Sequence, residues 1–100
     1  MKNRTKDPLI VFKGAKNTGQ LIKAFRNNFE IAQDEMAFVC GISQANLSAI
    51  ENGRRTVGPS VALKLAAFLG VSPEVILYPN GYHTEPEFIE VQKRKLKIIG

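Results

Sequence analysis

The sequence predicts an all-α fold: a compact domain of five helices with a short basic N-terminal arm and a C-terminal helical extension. Three observations carry this expectation. Apolar residues between Thr18 and Leu77 recur at helical spacing, capping and stopping residues punctuate them, and the connections are only a few residues long. One hundred residues with 44% hydrophobic content suit a single modest core.

Residues 1–17 form the arm. Lys2, Arg4, Lys6, Lys13 and Lys16 stand against Asp7 alone, and the apolar run 9–12 is expected to be a short strand, a helix fragment or a docking segment, which periodicity does not separate. The central zone, 18–78, opens with Thr18 as the expected N-cap of a helix over about 19–29, on which Leu21, Ile22, Phe25 and Phe29 share one stripe. A second helix starts at Gln33, with Asp34 and Glu35 in the first turn where the macrodipole favours acids, and stops at Gly41. Ser43 caps a third through Ile50, closed by Asn52 and Gly53. Pro59 and Ser60 begin a fourth, which carries Val61, Leu63, Leu65, Ala66 and Leu69 and ends at Gly70. Ser72, Pro73 and Glu74 begin a fifth.

The last zone, 79–100, predicts a sixth helix. Thr84 to Glu87 fits a capping box, Phe88, Ile89, Leu96 and Ile99 fall on one side, and the acids Glu85, Glu87 and Glu90 precede the bases Lys93, Arg94, Lys95 and Lys97. A strand over part of 88–99 is the alternative, given its β-branched residues.

The net charge of +5 is unevenly spread: residues 1–16 carry +4, residues 17–81 five bases and five acids, and residues 82–100 +1. A polyanion partner would therefore need locally placed bases on the central domain. No apolar run approaches the roughly 20 residues of a membrane span, and the apolar patch behind the basic start is too short for a secretory leader. The single cysteine, Cys40, makes no internal disulfide, so a cytoplasmic location is expected. No nucleophile has a histidine partner, and neither a phosphate loop nor a metal-ligand cluster occurs, so neither an enzyme, a cofactor nor a metal is expected. His83 is read as a surface residue and Phe38 as the one aromatic on an outward face.

Residues 33–53 meet the demands of a helix-turn-helix. Gln33 stands at the start of the first helix, within reach of a phosphate. Ala37 is small where the two helices cross, Gly41 supplies positive φ in the turn, and Met36, Cys40, Ile42, Leu47 and Ile50 are apolar at the inward positions. The segments Ile-Ala-Gln-Asp-Glu-Met-Ala, Gly-Ile-Ser-Gln, Ile-Glu-Asn-Gly-Arg and Leu-Lys-Leu-Ala-Ala-Phe-Leu-Gly-Val-Ser extend the pattern over about 19–77. In this order and spacing the chain resembles the phage Cro and repressor proteins, the XRE-type helix-turn-helix family.

That resemblance implies binding of double-stranded DNA by a transcriptional regulator. It assigns Gln44, Ala45, Ser48 and Ala49 to base edges, and Gln33 and Asn52 to phosphates. Ser43, Asn46, Arg54 and Arg55 join the phosphate set, and Arg26 with Glu51 is an expected structural pair. Chemically, Gln44 suits adenine and Ala45 a thymine methyl. With two alanines and a serine on the reading face, direct readout is sparse, so DNA shape or the arm residues Lys2, Arg4 and Lys6 would supply the remainder. The expected regulator is a repressor reading a palindromic operator as a homodimer, joined through the fifth helix and the tail. The alternative is an antitoxin of the HigA type, which binds DNA and a small toxin protein.

Overall fold

The computed structural model describes residues 17–100. The arm, with its apolar run 9–12, lies outside the described residues. Six α-helices follow in order: α1 Thr18–Asn28, α2 Gln33–Cys40, α3 Gln44–Glu51, α4 Pro59–Leu69, α5 Pro73–Leu77 and α6 Pro86–Ile99. A single 3-10 turn, Tyr82–Thr84, leads into α6.

Local chemistry sets most of the boundaries. Ser43 sits in extended backbone at the start of α3, and its Oγ accepts from the Asn46 amide at 3.0 Å, as an N-cap should. Pro59, Pro73 and Pro86 each occupy the first turn of a helix, where a missing N–H costs nothing. Two expected caps are corrected. The cap of α1 is Asn17, whose Oδ1 accepts from the Gln20 amide at 2.9 Å, while the Thr18 hydroxyl donates to the Ile76 carbonyl at 2.8 Å and ties α1 to α5. The capping box at 84–87 does not form: Thr84 belongs to the 3-10 turn, its hydroxyl donates to the Gly81 carbonyl at 2.8 Å, and Glu85 takes the cap position.

One core unites α1 to α5. Leu21, Ile22, Met36, Leu47, Leu65 and Ile76 are fully enclosed, and Phe25 joins Phe29 and Phe68 through ring contacts at 4.7 and 6.2 Å. On α4 the buried residues are Ala62, Leu65, Ala66 and Leu69, whereas Leu63 points outward and is exposed. Phe38 is 86% exposed, the outward position read from the sequence. Residues 86–99 are helical rather than extended, with Pro86 in the first turn and an i,i+4 pair between Glu90 and Arg94 at 3.1 Å. No residue of α6 is buried, and the described molecule is long for its size, 57 × 28 × 20 Å. Among the described residues no single helix is long and apolar enough to cross a membrane.

Cys40 is an inward residue of α2, 7% exposed, and burial pushes its thiol up, partly opposed by the charge of Lys64. A raised value in the folded state means that stability is intact below the ordinary thiol range and is lost as pH rises through it. Urea midpoints measured at about pH 7 and about pH 9.5, either side of the ordinary thiol value, should therefore fall further for the wild type than for Cys40→Ala. Equal falls would contradict a buried thiol.

Candidate nucleic-acid interface

The geometry of the motif begins with its turn. Gly41 has φ 70°, in the left-handed region that a Cβ penalises, and nothing lies within 4 Å of where that Cβ would be. The requirement is thus conformational rather than spatial. Ala37, 2% exposed, fills the inward position that was expected to be small, and Met36, Cys40, Leu47 and Ile50 are buried around it. Ile42 is half-buried against the same core.

Four helices end on the same hydrogen-bonded pattern, in which an amide two or three residues past the helix returns to a carbonyl five residues back. The pairs are Ile31 to Arg26, Ile42 to Ala37, Arg54 to Ala49 and Val71 to Ala66, at 2.8 to 3.1 Å. After α1, α2 and α4 the donor is an isoleucine or valine packed against the core. After α3 it is Arg54, exposed. The helix end that would face DNA therefore turns a cation outward where its counterparts turn a hydrocarbon inward.

Leu47 and Ile50 fix which side of α3 is buried, and Gln44, Ala45, Ser48 and Ala49 share the opposite arc. Gln44 and Ala45 are fully in the exposed class, and Ser48 and Ala49 are half-buried. A hydrogen-bonded chain reaches this arc from the interior. Arg26 on α1 grips Glu51 with two bonds, Nε to Oε2 at 2.8 Å and the second guanidinium nitrogen to Oε1 at 2.9 Å, and its third nitrogen donates to the Ile31 carbonyl at 2.9 Å. The expected pair is present, and the Glu51 side chain is only 2% exposed. Gln33 Nε2 then donates to Glu51 Oε1, and Gln44 Nε2 donates to Gln33 Oε1, both at 3.3 Å.

The direction of this chain is chemically forced. A carboxylate only accepts, so Gln33 must turn its NH2 group to Glu51 and its oxygen to Gln44. Gln44 in turn presents its NH2 group to Gln33, which leaves its own Oε1 and one N–H for an outside partner. That is the donor–acceptor pair that matches the major-groove edge of adenine. Sequence reasoning placed Gln33 and Gln44 at separate contacts; the fold joins them. The Arg26–Glu51 bond also raises the arginine further above its already high ordinary value, so the anchor is charged at any ordinary pH.

Flanking groups form two smaller pairs. Arg55 donates to Asn46 Oδ1 at 3.0 Å, across nine residues, and Asn52 Nδ2 donates to Ser48 Oγ at 3.3 Å. Asn52, Arg54 and Arg55 are exposed, Ser43 is exposed at the cap of α3, and Gln33 is half-buried. The arm residues Lys2, Arg4 and Lys6 lie outside the described residues. Among the described residues no group of His, Cys, Asp and Glu could hold a metal ion.

Gly19 was missed by sequence reasoning. A Cβ there would stand 2.5 Å from the Ile50 carbonyl oxygen and 2.6 Å from that of Glu51, so the first turn of α1 abuts the end of α3 backbone to backbone. A glycine in the first turn of a helix is the only trace of this in the sequence.

Comparison with known proteins gives a consistent result. A family model described as Helix-turn-helix matches residues 22–76. The HTH-type transcriptional repressor RghR of Bacillus subtilis is 35% identical over 68 residues, 67% of this chain and 50% of that protein, so the chain spans about half of that relative. The restriction-modification controller protein C.AhdI of Aeromonas hydrophila superposes with a TM-score of 0.55 at 26% identity, covering 68% of this chain and 97% of C.AhdI. The DNA-binding domain of the P22 c2 repressor, at 24% identity and a TM-score of 0.59, covers 72% of this chain and 95% of itself and shares the fold. With its motif, its core and these relatives in agreement, the chain belongs to the helix-turn-helix family.

Proposed function

We propose that the chain is a repressor that reads a palindromic operator as a homodimer, each copy laying α3 in the major groove, with half-sites about one helical turn apart. The observation that carries this reading is the Arg26–Glu51–Gln33–Gln44 chain, which ends on the exposed arc of α3 and fixes the one long side chain there. Gln44, Ala45, Ser48 and Ala49 touch base edges. Gln33, Ser43, Asn46, Asn52, Arg54 and Arg55 hold the phosphates on either side. The repressor reading is supported by RghR, whose name describes that activity.

Because residues 17–81 are electrically neutral in sum, Arg54 and Arg55 carry much of the local attraction. Replacing either with alanine should weaken binding to all sequences alike and lower the slope of log affinity against log salt by about one per chain. An unchanged slope would remove that arginine from the interface.

Selection of random duplexes on the purified protein tests the reading as a whole. Enrichment of a two-fold symmetric motif is expected, and recovery of unrelated sequences would refute it. The antitoxin alternative uses the same DNA surface and differs in what covers α6, which becomes a separate question.

A further inference from the structure

α6 carries its apolar residues on one half of its circumference, and none of them is buried. Phe88 and Ile89, near its start, are about one-third exposed, whereas Leu96, Ile98 and Ile99 near its end are 60%, 86% and 75% exposed. The start of the helix is not bare. Tyr82 meets Phe88 edge to face at 5.1 Å, and Tyr78, Tyr82, Phe88 and Val91 line a groove of about 480 Å³ whose polar lining includes Glu85, Glu87 and Lys95. So one end of α6 offers an aromatic groove bordered by two acids and one base, and the other end offers unfilled hydrocarbon among bases.

These two halves fit each other but cannot meet within one chain. Leu96 lies eight residues beyond Phe88 and Ile99 eleven, roughly 12 to 17 Å along a straight helix. A second copy running the other way brings them together. Charge selects that direction. Residues 85–92 carry three acids and no base, and residues 93–100 carry four bases and no acid. A parallel pair would set acid on acid and base on base; an antiparallel pair sets each acidic half against a basic one. Gln92 stands near the midpoint within the apolar half, where two copies meet on the two-fold axis, and its amide both donates and accepts.

We propose that α6 is the dimerisation element and that two copies of this chain pair through it in antiparallel fashion. The C-terminal half of each helix fills the Tyr78–Tyr82–Phe88 groove of the other, so that the acidic first half of each α6 runs beside the basic second half of its partner. The same patch serves both copies, so the contact closes at two. This rests on the homodimer reading above and supplies its interface.

Light scattering on the full chain at micromolar concentration tests it. The wild type should show the mass of two chains. Glu85→Lys/Glu87→Lys/Glu90→Lys and Lys93→Glu/Lys95→Glu/Lys97→Glu should each show the mass of one, with circular dichroism unchanged for α1 to α5. Mixed in equal amounts, the two variants should return to the mass of two. If each variant alone keeps the two-chain mass, dimerisation lies elsewhere and the α6 pairing fails while the homodimer reading stands. If the wild type shows one chain even on operator DNA, or forms a complex only with a different protein, the homodimer reading fails as well.

Discussion

Arg26→Met is expected to cost the domain about 3 to 5 kcal/mol, because it strands a carboxylate whose side chain is 2% exposed with Gln33 as its remaining side-chain donor. Set against a total of roughly 5 to 15 kcal/mol for a domain of this kind, that is a large fraction. Urea denaturation followed by circular dichroism would register it as a lower midpoint. The double variant Arg26→Met/Glu51→Leu removes both charges and should recover most of the loss, since two apolar side chains in such a site are often neutral or better. Stability and recognition then separate. Gln33 has lost its acceptor, so the double variant should fold well and still discriminate operator from non-operator DNA poorly. A double variant that recovers both would show that Glu51 does nothing for Gln33.

Gly19→Ala should destabilise by about 1 to 3 kcal/mol, the range found when a packed site is overfilled. Helix propensity alone points the other way, favouring alanine by about 1 kcal/mol. The geometry decides the sign, since the new Cβ would lie 2.5 Å from the Ile50 carbonyl oxygen, 2.6 Å from that of Glu51 and 2.9 Å from the Glu51 carbonyl carbon. Those are backbone atoms and have no rotamer to change. Relief requires α1 to move away from the end of α3, which shifts Asn52 and Arg54 along with it. Thermal denaturation should show a lower midpoint, and operator affinity should fall even at temperatures where the variant is folded. A stabilised variant would mean that the two helices do not approach so closely.

What the sequence made legible follows from how local each signal is. Ser43 capping α3, Gly41 in the turn, and the prolines opening α4 and α5 act within one turn of chain, and each was placed by reading neighbours alone. The inward set of the motif was legible for the same reason: helical spacing assigns faces. Thr18 failed as a cap because Asn17 beside it is equally competent, and the acceptor that claims the threonine hydroxyl is 58 residues away. Thr84 failed because it lies in a 3-10 turn, where its hydroxyl donates to the Gly81 carbonyl. Gly19 and the Gln33–Glu51 bond depend on how three helices converge, which no window of sequence contains. Gln44 and Ala45 are exposed on α3 as helical spacing predicts, but the hydrogen bonds behind Gln44 were not legible.

The central claim is that α3 reads bases through Gln44, held in place from behind. It is tested by titrating wild type and Gln44→Ala against a selected operator and each single-base-pair variant of it. The wild type should lose roughly 1 to 3 kcal/mol at one position of each half-site that Gln44→Ala no longer distinguishes, while discrimination elsewhere is retained. Uniform weakening at every position, or no change at any, would show that Gln44 does not read sequence.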